Sequence, residues 1–174
     1  MASTPIDPTV EQAMLHALKE HTSNPHALHQ GGIEALSAID RAAGQIADAI
    51  NADASEITFT SGASEANNAA LKGIAFAAAG RGRHLIVSAL EHACVLEAAN
   101  WLSENGFEVT VVPASPAGLI DPSDVFQALR DDTILVSVQL ANNEVGTVQP
   151  VAEIAARCRQ RGIIVHSDAA QAFG

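Results

Sequence analysis

His84-Leu-Ile-Val-Ser88, a helical stretch from Glu91 to Asn105 and Phe107-Glu-Val-Thr-Val-Val112 follow one another directly, and this strand-helix-strand run decides the fold. Two strands joined by a helix of that length cannot form a hairpin, so they imply parallel pairing through a crossover. The alternation extends in both directions. Upstream, Glu56-Ile-Thr-Phe-Thr60 reads as a strand and Ser64 to Ala79 as an Ala-rich helix. Downstream come a helix from Pro122 to Arg130, a strand at Thr133-Ile-Leu-Val-Ser-Val138, a helix from Pro150 to Gln160 and a strand at Gly162-Ile-Ile-Val-His166. The runs centred on Leu85, Leu135 and Ile164 are nearly all apolar, which suits strands buried on both faces. Before residue 55 the pattern is helical only. Pro8 can start one helix carrying Val10, Met14, Leu15 and Leu18, and apolar residues recur at helical spacing from Gly32 to Ile50. The expected organisation is a helical segment over 1–54 and an α/β domain over 55–174, with no internal repeat or linker.

Composition bounds what such a domain does. With 174 residues and 48% hydrophobic content, one real core is within reach. The apolar residues are mostly small aliphatics, with no Tyr, one Trp and five Phe. Net charge is −11, and no basic cluster exists to neutralise phosphates along a nucleic acid, so nucleic-acid binding is not expected. Cys94 and Cys158 are far apart and lack C-x-x-C spacing, which suggests neither a zinc site nor a disulfide framework, and no metal is expected. No leader-like segment or membrane-length apolar run stands out, so the expectation is a soluble, cytoplasmic protein without a membrane partner.

In an open α/β sheet the ligand lies beyond the carboxyl ends of the strands. That rule selects four loops. Thr60-Ser-Gly-Ala-Ser64-Glu65 runs straight into a helix; Gly62 permits a close approach, and the Ala63 and Ser64 amides with the Ser64 hydroxyl can donate to an anion. An ordinary Ser helix cap is the other reading. No Walker lysine follows. His92 stands in the first turn of a helix, either as a ring for stacking or proton transfer or as a capping residue. Asn142-Asn143-Glu144-Val145-Gly146 offers amides to a ligand, or simply turn chemistry. Asp168 follows a buried run and needs a partner to offset its desolvation. A protonated heteroaromatic nitrogen and a structural arginine both answer that need, and Gln171 three residues on can donate to an oxygen of the same ring.

Taken in order, Asn24-Pro-x-x-x-His29, Thr60-Ser-Gly-Ala-Ser64-Glu65-x-x-Asn68, Glu91-His92, Asn142-Asn143-Glu144-x-Gly146 and His166-x-Asp168-x-x-Gln171 resemble the first half of a cysteine desulfurase. These enzymes belong to the class V aminotransferase group and use pyridoxal 5'-phosphate on the fold-type I scaffold. The resemblance implies a three-layer, mostly parallel α/β large domain, here in part, without the small C-terminal domain. It assigns Ala63 and Ser64 to the cofactor phosphate and His92 to stacking on the ring and to proton transfer. Asn143 and Gln171 would bond the phenolic oxygen, and Asp168 would pair with the ring nitrogen.

The implied reaction takes sulfur from L-cysteine, leaves alanine and passes an enzyme persulfide to a sulfur-acceptor protein for iron-sulfur cluster assembly, usually in a homodimer. In the family the Schiff-base lysine and the nucleophilic cysteine come after the Asp-x-x-Gln loop. Neither Lys19, Lys72, Cys94 nor Cys158 matches them, so this chain alone is expected to be inactive and both cysteines to be packing residues. A non-catalytic interaction module, or part of another class V aminotransferase, a selenocysteine lyase or a kynureninase, is the alternative. The Asn142-Asn143-Glu144 form favours the iron-sulfur and nitrogen-fixation branch.

Overall fold

The computed structural model describes residues 4–173, and the chain divides into two compact units on either side of the Phe59–Thr60 bond. In the first, α1 (Pro8–Glu20) starts where Asp7 accepts the Thr9 N–H at 2.8 Å and Pro8 supplies a preset φ. Helix α2 (Gln30–Ile50) is capped by His29, whose Nδ1 accepts the Gly32 N–H at 3.3 Å, and it ends at Asn51 in the left-handed region with φ 55°. The expected strand over Glu56–Thr60 does not form. Glu56 is drawn into a 3-10 turn (Ala54–Glu56), where its carboxylate accepts the Asp53 N–H at 2.8 Å. Residues 57–60 enter no ladder, and a strand exists only by pairing.

In the second unit α3 (Ala63–Ala77), β1 (His84–Ser88), α4 (Ala93–Glu104), β2 (Glu108–Val112), α5 (Pro122–Ala128), β3 (Thr133–Ser137), α6 (Val151–Gln160) and β4 (Ile164–His166) alternate. The strands form one parallel sheet in the order β2-β1-β3-β4. Its two faces follow the period of two along each strand. Leu85 and Leu135 pack with Leu71 and Ala75 of α3 and with Val95, Ala98 and Leu102 of α4. Ile86 and Val136 point the other way, onto Val125 of α5 and Ile154 and Cys158 of α6. The result is three layers, helix on sheet on helix.

The central strands β1 and β3 are buried at every position, as their unbroken apolar runs imply. Strand β4 differs. It pairs with β3 alone, and Ile164 is 39% exposed, so the expectation of burial on both faces fails at this edge. Cys158, fully buried in the core, is the packing residue expected of it, and burial pushes its thiol pKa up. Because Ile86 is completely buried, Ile86→Val should cost about 1 kcal/mol of unfolding free energy in urea titration, from one lost methylene and the small void it leaves.

Candidate functional site

The order β2-β1-β3-β4 reverses direction between β1 and β3. The chain leaves β1 for β2 on one side and leaves β3 for β4 on the other, so the loops at their carboxyl ends part and leave a crevice. A cavity of about 480 Å³ lies there. All six residues singled out in the sequence line it: Ala63, Ser64, His92, Asn143, Asp168 and Gln171.

The first wall is the start of α3. Helices α1, α2, α4 and α5 each have a side-chain N-cap, whereas α3 has none and its first residues face the cavity. Its free N–H groups therefore keep the capacity to bind an anion. Ser64 is not the cap, since that position falls to Gly62, beside which an added Cβ would find open space. The loop is tied by Glu65, whose carboxylate accepts from Ser61 N at 2.7 Å and Ser61 Oγ at 2.6 Å. These two bonds hold the Glu65 pKa below the usual carboxylate value and turn its charge onto donors of its own loop.

His92 is the N-cap of α4 rather than a first-turn residue. Its Nδ1 accepts the Cys94 N–H at 3.2 Å and lies 3.0 Å from Cys94 Sγ, so capping and cavity lining are both true of it. Cys94 is accordingly more than packing: its sulfur also lies 3.3 Å from Asn67 Nδ2. In the β3–α6 connection the two amides divide their labour. Asn142 accepts from Glu144 N and Val145 N at 2.9 and 2.8 Å, which is turn chemistry, and it donates to Leu90 O at 2.9 Å, which ties this loop to the one after β1. Asn143 is the one that lines the cavity.

Asp168 is only 6% exposed, yet no arginine or lysine pairs with it among the described residues. Its Oδ2 accepts from Asn67 Nδ2 at 2.8 Å and its Oδ1 from Ala170 N at 2.9 Å. The structural-arginine reading is thereby excluded within the described residues. Gln171 lies in the turn just beyond, exposed at the cavity mouth.

Three groups received no role in the sequence reading: Asn67 and Glu91, which are buried, and His166, which is half-buried. Glu91 is 6% exposed, and burial raises its pKa to about 7 despite hydrogen bonds to its Oε1 from Ser88 Oγ at 3.0 Å and Gln139 N at 2.7 Å. The nearby Asp168 charge pushes it up further. Its Oε2 has no well-formed hydrogen bond among the described residues, with the Ser137 hydroxyl as its nearest help. A second hollow, of about 400 Å³, lies beside Thr133 and is lined by Arg81, Arg130 and Arg161. Those arginines are already engaged, Arg130 with Glu108 and Asp132, Arg161 with Asp131 and Arg81 with Gly162 O, so it offers no free anion site.

The residues of the larger cavity fit a flat, phosphorylated, nitrogen-containing ring. They supply an uncapped helix start at one wall, a buried carboxylate without a cation among the described residues at another, and an imidazole and the amides of Gln139, Asn143 and Gln171 between them. No lysine is among the residues lining it.

Comparisons with known proteins agree with this geometry. The chain is 45% identical over 173 residues to the cysteine desulfurase IscS of Dictyoglomus turgidum and 44% identical to that of Methanosarcina thermophila. It covers 44% and 43% of those proteins, and 99% of the chain is aligned in each case. Among solved structures it resembles SspA in complex with cysteine, with a TM-score of 0.92 and 42% identity over 99% of this chain and 50% of that one. DndA from Streptomyces lividans gives a TM-score of 0.89 and 42% identity over 98% of this chain and 48% of that one. The fold is thus that of the large domain of fold-type I enzymes, present in part. The family model described as aminotransferase class-V matches residues 1–174, and the chain belongs to that family.

Proposed function

We propose that this chain is the cofactor-anchoring part of a pyridoxal phosphate-dependent cysteine desulfurase. The observation that carries the proposal is the pairing, across one cavity, of an uncapped helix start with a buried carboxylate that has no cation beside it among the described residues. The amides of Ala63 and Ser64 with the Ser64 hydroxyl hold the phosphate. His92 orients the ring by stacking, and Asn143 and Gln171 donate to its phenolic oxygen. Asp168 keeps a proton on the ring nitrogen, with its carboxylate already oriented by Asn67 and by Ala170 N–H. When bound, pyridoxal phosphate supplies an electron-withdrawing ring that stabilises negative charge on the substrate carbon. His92, at the cavity wall, is the group that carries protons to and from that carbon.

The substrate in this reading is L-cysteine, which relatives named cysteine desulfurase and a solved relative complexed with cysteine support. A cytoplasmic location, a homodimer and a sulfur-acceptor protein serving iron-sulfur assembly belong to the same proposal. No helix among the described residues is long and apolar enough to cross a membrane.

Pyridoxine 5'-phosphate tests the anchors cleanly, because it has the ring and the phosphate but no aldehyde to react with stray lysines. In equilibrium dialysis it should bind one molecule per chain, with inorganic phosphate competing. Ser64→Ala should weaken it roughly tenfold, the usual worth of one hydrogen bond to a charged group. Binding that ignores both the competitor and the substitution would overturn the assignment of the phosphate to α3.

A further inference from the structure

Behind Asp168 runs a line of polar side chains of which the proposed chemistry uses only the first, Asn67. Ser137 Oγ lies 2.9 Å from His166 Nδ1, His166 Nε2 lies 3.1 Å from Asn67 Oδ1, and Asn67 Nδ2 lies 2.8 Å from Asp168 Oδ2. Ser137, Asn67 and Asp168 are 0%, 4% and 6% exposed, so water cannot readily stand in for any of these bonds.

The donor directions follow from elementary valence. A carboxylate only accepts, so the amide nitrogen of Asn67 must face Asp168 and its oxygen must face His166. An amide oxygen also only accepts, which requires the proton of His166 to sit on Nε2. Burial lowers the His166 pKa, which favours the neutral ring, and a neutral ring with a proton on Nε2 accepts at Nδ1. The Ser137 hydroxyl must then donate to it. Every bond points the same way, from Ser137 through His166 and Asn67 to Asp168.

The charged and titratable neighbours act on that order from both ends: the Asp168 charge raises the His166 pKa against the larger effect of burial, and Glu91 competes with His166 for the Ser137 hydroxyl. Asp168 faces the line from the loop after β4, and Glu91, beside Ser137, faces it from the loop after β1. Cys94 of α4 touches it through Asn67 Nδ2.

We propose that Asn67 and His166 are positioning residues for Asp168: this one-directional line fixes the rotation of the carboxylate so that it meets the ring nitrogen of the cofactor. It rests on the cofactor reading only in naming what Asp168 faces. The line joins α3, β3 and β4, so it also ties the two cofactor anchors together: Ser64 and Asn67 lie on the same helix, three residues apart.

The test uses the 174-residue chain labelled with ¹⁵N-histidine, observed by long-range ¹H–¹⁵N correlation at neutral pH. His166, assigned by the signal lost in His166→Gln, should be a neutral ring protonated at Nε2. Asn67→Ala should abolish that preference and weaken pyridoxine phosphate about tenfold, the worth of one charge-assisted bond, while leaving inorganic phosphate binding unchanged. His166→Leu should do the same. His166→Gln should retain most of the affinity, because its amide can donate to Asn67 and accept from Ser137. A ring protonated at Nδ1 in the parent chain would overturn the proposal, as would parental affinity in both Asn67→Ala and His166→Leu. If the parent binds no pyridoxine phosphate, the cofactor reading falls, and the imidazole spectrum alone decides whether the line runs as described.

Discussion

Replacing Glu91 with glutamine should remove a pH-dependent loss of folding stability of roughly 3 kcal/mol, the energy equivalent of raising one carboxyl from its ordinary pKa to about 7. The cause is burial: Glu91 is 6% exposed, and among the described residues one of its oxygens has no well-formed hydrogen bond. Because its folded pKa lies above its unfolded value of 4.5, the native state holds the proton more tightly than the unfolded chain does. Stability is therefore unpenalised below pH 4.5, falls as pH rises through the interval up to about 7, and bears the full cost above it. Glutamine keeps an oxygen for Ser88 and for the Gln139 N–H, yet has no proton to lose. Urea unfolding at intervals from below pH 4.5 to above pH 7 should give a falling curve for the parent and a flatter one for Glu91→Gln. Parallel curves would show that Glu91 is ionised at little cost.

The second large effect belongs to Asp168→Ala, which should weaken pyridoxine phosphate about a hundredfold, in the range for truncating one partner of a desolvated charge pair. No other acidic side chain takes its place: Glu91 is held by Ser88 and Gln139, and Glu65 is turned onto Ser61. The substitution also strands two donors, Asn67 Nδ2 and Ala170 N–H, so some loss of stability is expected as well. Asp168→Asn separates the two consequences. It keeps the shape and an acceptor for Ala170 but removes the charge, and it sets an NH2 against Asn67 Nδ2 unless the Asn67 amide turns over. Urea unfolding should find it closer to the parent in stability than Asp168→Ala, and calorimetric titration should find it nearly as weak a binder as Asp168→Ala. Equal affinity in parent and Asp168→Asn would mean that the charge at this position is not what holds the ring.

Most of the α/β unit was legible from the chain because its strands are short apolar runs and its helices carry apolar residues at helical spacing. Sites at the carboxyl ends of strands follow from that order alone. What misled was segment 56–60, whose Ile57 and Phe59 alternate as in a strand. Alternation reports a half-buried face, whereas a strand also needs a neighbour to pair with, and these residues enter no ladder. The β4 edge was misjudged for a related reason: the run Ile163-Ile-Val165 carries no mark of its place in the sheet.

The buried polar groups were hidden differently. Asn67 lies in an Ala-rich helix, where an asparagine reads as surface, and His166 ends an apolar strand. Glu91 stood beside His92, which drew the attention. The available signal was Asp168 itself, because a buried carboxylate demands donors. A cation is one answer to that demand, and the donors here are an amide side chain and a backbone N–H.

In the proposed function Ser64 and Asp168 hold opposite ends of one molecule. The most direct test of that arrangement is NMR of pyridoxine 5'-phosphate, labelled with ¹⁵N at the ring nitrogen and bound to the chain above the pH at which the free ring loses its proton. A protonated ring nitrogen in the bound state, lost in Asp168→Asn, together with a shifted ³¹P signal that Ser64→Ala returns toward its free position, is the expected result. A bound ring that remains unprotonated, or a phosphate signal indifferent to Ser64, would contradict it.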